Sequence, residues 1–208
     1  MKKIVVVLFL LAVCVAAGRA QESRQDISIS GVGLFEPFIA SSTDVQVHSN
    51  GALGGLASYR FMLTPNSALE MNYGITYQNK LHYIVGNTID AVVLTRTQEI
   101  SGAYVRSFVY KKFNPFVEAG PAALIFLPIY NSHTQILGLK QQTEIAGLFG
   151  AGIAYEISPS FDIRAEYRGL ITQVPNFGQG SGAFINLSTK RWYQPWISEP
   201  AIGIAYHF

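Results

Sequence analysis

The run Leu69-Glu70-Met71-Asn72-Tyr73-Gly74-Ile75-Thr76-Tyr77-Gln78 decides the fold. Leu69, Met71, Tyr73, Ile75 and Tyr77 alternate with Glu70, Asn72, Gly74, Thr76 and Gln78, which is the period of an extended strand with one bulky apolar face. The rhythm recurs downstream. Phe161, Ile163, Ala165 and Tyr167 alternate with Asp162, Arg164, Glu166 and Arg168, so every polar-face residue there is charged. Ile145, Phe149, Ala151, Ile153, Tyr155 and Ile157 oppose Glu144, Ala146, Gly150, Gly152, Ala154 and Glu156. At the chain end, Ile202, Ile204, Tyr206 and Phe208 oppose Ala201, Gly203, Ala205 and His207. After residue 20 no amphipathic helix of useful length appears.

Turn-forming residues divide these runs into a meander. Thr64-Pro65-Asn66-Ser67, Lys111-Lys112-Phe113-Asn114 and Ser158-Pro159-Ser160 begin at 64, 111 and 158, so 111 − 64 and 158 − 111 both equal 47. Each interval holds a strand out, a longer connection and a strand back. The connections are expected at residues 36–50, 79–90, 128–140 and 172–194. Eight strands in four hairpins follow.

The 208 residues are 49% hydrophobic and only 13% charged, with 19 Gly, 13 Phe and 11 Tyr, which excludes a disordered chain. The longest apolar stretch, residues 4–17, is too short for a spanning helix, which needs about 20 residues. It follows Met1-Lys2-Lys3 and ends in Ala16-Ala17-Gly18-Arg19-Ala20, the pattern of a secretory signal cleaved after Ala20. The expected organisation is therefore a signal over residues 1–20 and one barrel domain over 21–208. An acylated Cys14 is the rival reading, but Val13 precedes it where a lipoprotein signal wants a small residue. Fifteen basic side chains less Lys2, Lys3 and Arg19 leave twelve against thirteen acidic ones, so no electrostatic case for nucleic acid remains. Loss of Cys14 with the signal would also remove all thiol chemistry.

The facing of the alternation separates a soluble barrel from a membrane one. An eight-stranded barrel has an interior only wide enough for side chains. The small residues Gly54, Gly74, Gly150, Gly152 and Gly203 share a face with the charges, which suits a crowded lumen, while the bulky apolar face suits lipid. Tyr59, Phe61, Tyr73, Tyr155, Tyr167 and Tyr206 are placed to form interfacial girdles. The expected fold is all-β: an eight-stranded antiparallel up-and-down transmembrane β-barrel.

This facing sends Glu70, Glu118, Glu144, Glu156, Asp162, Glu166 and Glu199 inward with Arg60, Arg106, Arg164 and Arg168. Such a set reads as a salt-bridged plug, or as a narrow acidic path that favours cations. Two segments are ambiguous. If Arg106 faces the lumen, then Tyr104, Phe108 and Tyr110 do too, unless a bulge switches faces; and an inward Glu118 puts Pro121 within a strand, at a bulge or the membrane edge.

Residues 68–78, 114–120 and 161–167, with the terminal Ile202, Ile204, Tyr206 and Phe208, resemble the small eight-stranded bacterial outer-membrane barrels typified by the OmpA transmembrane domain and OmpX. The resemblance implies an outer-membrane location, contact with outer-membrane lipid and lipopolysaccharide, and a final strand read by the barrel-insertion machinery through those four terminal residues. It implies structural, adhesive or envelope-integrity roles, or alternatively an OmpW-type channel for small hydrophobic or cationic solutes.

Catalytic and cofactor chemistry find no residues. His48, His82, His133 and His207 lie in separate segments, three of them in expected loops, and none has a second ligand at metal-binding spacing along the chain. Ser132 and His133 are adjacent, so on a strand they would face opposite sides. Gly178-Gln179-Gly180-Ser181-Gly182 precedes no helix and lacks the amide array of a phosphate cradle. Phe177, Phe184, Trp192, Tyr193 and Trp196 beside Lys190 and Arg191 mark the longest connection as a membrane anchor or a surface for an extracellular ligand with anionic groups. No catalytic, metal or cofactor-binding residue is assigned.

Overall fold

A computed structural model describes residues 24–36, 39–40, 45–85, 88–129, 139–173, 175, 177 and 196–208. Residues 1–20, with the expected signal, and His133, Phe184, Lys190, Arg191, Trp192 and Tyr193 lie outside the described residues.

Among the described residues ten strands form one antiparallel sheet: β1 (Gln25–Leu34), β2 (Ile39–Ala40), β3 (Val45–Ser49), β4 (Ala52–Thr64), β5 (Ser67–Val85), β6 (Thr88–Ser107), β7 (Phe113–Pro128), β8 (Gln142–Ser158), β9 (Phe161–Ile171) and β10 (Trp196–His207). Eight of them close a barrel in the cyclic order β1, β4, β5, β6, β7, β8, β9, β10, and β10 returns to β1 from Asp26↔His207 to Val32↔Ala201. Strands β2 and β3 add to the far end of β5. The short turns 65–66, 108–112 and 159–160 all lie at one end, which is the periplasmic end of such a barrel.

The bulky face lies outside. Ile29, Leu53, Met71, Ile145 and Ile202 are among the most exposed side chains, while Ser28, Arg60, Glu70, Arg164 and Arg168 are buried within. No water enters a bilayer core to solvate free backbone groups, so a closed ladder with its apolar face outward is what spans it. Aromatic rings gather at the periplasmic rim, where Phe113 meets Tyr155 at 5.2 Å and Phe161 meets Tyr206 at 5.1 Å between centroids.

Four expectations need correction. In β6 the parity is reversed: Ala103 and Val105 are buried in the lumen, while Tyr104 and Arg106 face outward. Bulky Ile100 and Tyr104 go to lipid because the lumen admits only Ser101 and Ala103 at those levels. Arg106 then sits at the periplasmic rim, its Nη1 donating to Ser67 Oγ at 2.9 Å. Residues 79–90 are not a loop, because β5 and β6 continue paired through Val85↔Thr88. Residues 36–50 likewise contain β2 and β3, so His48 and His82 lie on strands. Finally, Pro121 makes no bulge. Ser101↔Ala122 and Tyr104↔Ala119 keep one register around it, with two pairs missing where the proline has no N–H to give.

Pro200 does the same in β10. Val32↔Ala201 and Phe35↔Ser198 share a register, yet Gly33 and Leu34 lack ladder partners opposite Pro200 and Glu199. An apolar groove of about 500 Å³, lined by Gly31, Gly33, Phe35, Leu53, Pro200 and Ile202 among others, runs along this part of the seam.

Candidate functional site: the lumen

From the periplasm inward, the lumen has four levels. The lowest is a vestibule of about 370 Å³ whose lining includes Asp26, Arg60, Glu156, Asp162, Arg164 and His207. His207 bridges the strand ends, with Nε2 at 2.9 Å from Asp162 and Nδ1 at 3.7 Å from Asp26.

Above it lies a first ionic layer. Arg60 Nη2 meets Glu70 Oε2 at 2.5 Å and its Nε donates to the same oxygen at 2.6 Å. Arg164 reaches Glu70 at 3.6 Å and Asp26 at 3.3 Å, and donates to Ser28 Oγ at 3.3 Å. Both guanidinium groups lie over the Phe116 ring, at 4.8 and 5.8 Å from its centroid.

Arg168 organises the second layer and has no exposed surface. Its Nη2 meets Glu99 at 2.5 Å and donates to Ser101 Oγ at 3.1 Å; its Nη1 meets Glu199 at 3.1 Å, and its Nε lies 3.4 Å from Glu118. The members of this layer, Arg168 included, come from β6, β7, β9 and β10, and the charged members of the lower layer from β1, β4, β5 and β9. Strand β8 contributes space instead. A Cβ on Gly150 would stand 2.6 Å from Glu118 Oε1, and one on Gly152 2.5 Å from the Phe116 ring.

The extracellular level is apolar. Leu34, Leu81, Val93, Leu124, Phe126, Leu148, Leu170 and Ile197 form a buried cluster with Leu139 and Phe177 from the connecting segments. The Phe177 N–H donates to Gln142 Oε1 at 2.6 Å, and its carbonyl accepts from the Lys140 N–H at 3.0 Å. Beside this cluster, half-buried Glu36 accepts from Asn79 Nδ2 at 2.8 Å. Burial pushes the Glu36 carboxyl up to about 7, with the Asn79 amide pulling the other way.

Of the expected lumenal set, Arg60, Glu70, Glu118, Arg164, Arg168 and Glu199 meet in the two layers. Glu166 is buried beside them, and Asp162 pairs with His207. Glu144 and Glu156 face inward but are only half-buried, Glu144 accepting from Gln142 and Glu156 lining the vestibule. Arg106 belongs to the outer rim. Two network members escaped the sequence reading. Asp26 opens β1, where no alternation precedes it, and Glu99 was hidden by the reversed parity of β6. At the terminus, Ile202 and Ile204 face outward, and Tyr206 stacks on Phe208 at 6.0 Å. Among the described residues no three His, Cys, Asp or Glu side chains could together hold a metal ion.

A family model described as outer membrane protein beta-barrel domain matches residues 5–208. No curated protein matches the chain in sequence. Among solved structures, Pseudomonas aeruginosa OprG aligns with TM-score 0.63 at 10% identity, covering 90% of this chain and 97% of its own. Neisserial surface protein A aligns with TM-score 0.59 at 13% identity over 89% and 98% of the two chains. Ail, the attachment invasion locus protein of Yersinia pestis, solved with the heparin analogue sucrose octasulfate, aligns with TM-score 0.55 at 12% identity over 90% and 100%. At these identities the likeness is one of fold.

Proposed function

The chain belongs to the outer membrane protein beta-barrel family and is a protein of the bacterial outer membrane, and from that premise we propose that it is a non-catalytic, non-conducting barrel that presents its extracellular connections as a binding surface. The supporting observation is the pair of ionic layers around Arg168 and Arg60–Glu70–Arg164, whose side chains have almost no exposed surface and stand between the vestibule and the apolar cap. Ions crossing the lumen would have to break these buried pairs, a cost of several kcal/mol each. The extracellular ligand is anionic in this reading. The sequence sets Lys190 and Arg191 among aromatic residues, and the similar fold of Ail carries a sulfated sugar in its structure. Lipopolysaccharide and outer-membrane lipid are the proposed envelope partners, and Ile202, Ile204, Tyr206 and Phe208 the proposed signal for the insertion machinery. Planar-bilayer recording of the refolded chain tests the closed lumen: the expected outcome is no stable conductance, and a large steady channel overturns the proposal.

One observation favours a second reading, a channel for small hydrophobic solutes. At Pro200 the β1–β10 ladder is interrupted beside an apolar groove, and Leu34 of the apolar cluster stands inside that gap. A solute could leave the barrel sideways into lipid there. Paired Gly33→Cys and Pro200→Cys substitutions would close the seam by a disulfide. Liposome uptake of a hydrophobic dye that stops on oxidation and returns on reduction would support this reading; uptake indifferent to the redox state, or absent, would exclude it.

A further inference from the structure

Arg106 lies on the outward row of β6, between Tyr104 and Phe108 and in line with Ile100 and Tyr110, all of them exposed. Such a row faces lipid, where a cation is costly at the bilayer centre and nearly free at the headgroups. The sheet fixes its depth. Arg106 is the register partner of Ser67, the first residue of β5, and Ser67 Oγ accepts from both Arg106 Nη1 and the Tyr104 hydroxyl at 2.9 Å. Beside them the Ser107 N–H donates to the Asn66 carbonyl at 2.9 Å. The guanidinium is therefore level with the periplasmic turn between β4 and β5, and it has an aromatic side chain on either side along its own strand.

Beyond Arg106 the hairpin continues before it turns. Tyr110 and Phe113 exchange two backbone hydrogen bonds of 2.9 Å, and the Lys112 carbonyl accepts from the Glu156 N–H at 2.9 Å, so the exposed Lys111 and Lys112 are held at a closed tip. Lys111 takes a φ of 55°, in the left-handed region that glycine or asparagine enters more readily. Residues 100–117 hold three cations and no Asp or Glu. Acids of the adjoining strands, Glu70, Glu99, Glu118 and Glu156, face the lumen instead. Among the described residues none of the three cations forms an ion pair. The other short turns, 65–66 and 159–160, carry no charge, so the positive charge of the periplasmic turns is gathered on one side of the ring.

We propose that Arg106, Lys111 and Lys112 form a binding surface for the headgroup of an anionic phospholipid in the periplasmic leaflet. A guanidinium grips a phosphate through two parallel N–H donors, and among the described residues Arg106 spends only one nitrogen, Nη1, on the neutral Ser67. The lysines add charge without a fixed geometry. Tyr104 and Phe108 flank the guanidinium with the kind of ring that collects at a membrane interface. A soluble anion would reach the two lysines from the periplasm, but Arg106 stands in the row of side chains that lipid covers. Each cation near an anionic lipid surface strengthens binding about fivefold, and salt screens the effect. Only the outer-membrane location is needed for this, so a conducting lumen or a missing extracellular ligand would leave it standing.

The test is native mass spectrometry of the chain refolded in detergent, with heat-modifiable gel mobility to verify folding of every variant. Offered equal amounts of phosphatidylglycerol and phosphatidylcholine, the barrel should retain phosphatidylglycerol with a preference of at least about fivefold, the value of one cation. Arg106→Gln, Lys111→Gln and Lys112→Gln combined should bring that preference to within about twofold, and Arg106→Gln alone, whose amide can still donate to Ser67, should lower it about twofold or more. Removing as many cations at the extracellular end, by Lys80→Gln, Arg96→Gln and Lys140→Gln, should leave the preference unchanged, and an excess of inorganic phosphate should not displace the lipid. A preference unaltered in the rim variants, lost equally in both triple variants, or abolished by inorganic phosphate would overturn the proposal.

Discussion

Arg168 is the residue on which the lumen is most dependent, since it faces Glu99, Glu118 and Glu199 with no exposed surface of its own. Arg168→Met keeps much of the volume but leaves three carboxylates without their cation. The expected loss is about 3–5 kcal/mol, the usual cost of orphaning buried charge, read as a lowered urea midpoint of the folded barrel. Glu36 carries the clearest pH dependence. Its carboxyl rises in the folded state from an ordinary 4.5 to about 7, so the fold binds the proton more tightly than the unfolded chain. Its contribution to stability is therefore full below about pH 4.5 and is lost as pH rises through 7. Thermal midpoints measured at pH 5 and pH 8 should differ less for Glu36→Gln than for the unsubstituted chain. Residue types alone revealed most of the lumenal charges, because a charge on the small-residue face has nowhere else to go. Arg106 misled because a rim arginine reaches water without entering the lumen, and assigning it inward moved Glu99 out.

At the scale of elements, β8 shows how a strand can serve a site through what it lacks. Gly150 and Gly152 face Glu118, Phe116 and Glu166 so closely that a Cβ would fall within 3 Å of each. Gly152→Val should cost about 1–3 kcal/mol through overpacking, whereas Gly147→Ala, with no atom within 4 Å of the added carbon, should stay within about 0.5 kcal/mol. Comparing the two urea midpoints checks the claim. The strands of the spanning region were legible because one face meets lipid and the other a narrow lumen, which enforces strict alternation. That contrast fades above the membrane, where β5 changes register between Thr76 and Asn79 and the polar residues Asn79 and Lys80 look like the start of a loop. The continuation of β5 and β6 depends on Leu81 and Val93 reaching the apolar cap.

For the whole molecule, closure is the governing fact. The last strand pairs with the first, joining Asp26 to His207, and this leaves the ring without an open edge in lipid. Such a ladder should resist detergent until heated. The expected outcome is a faster gel band for unboiled than for boiled protein, with β-type circular dichroism; identical mobilities would contradict a closed barrel. Closure also explains the internal layering. Seven of the eight barrel strands deliver partners to the two ionic layers, and only the ring brings residues as distant as Asp26 and Arg164 within 3.3 Å.

The sequence by itself determined the architecture, because a two-residue period, short turns at regular intervals and charges confined to the small-residue face leave few ways to satisfy a backbone in lipid. It also marked most of the enclosed charges, with Asp26 and Glu99 missed and Arg106 wrongly included. Tertiary structure alone decided which of those charges pair and that Pro200 interrupts the seam. Those outcomes depend on register between strands far apart in the chain. Register is set by side chains packing across the sheet, and that cross-strand packing has no counterpart in the order of residues along one strand.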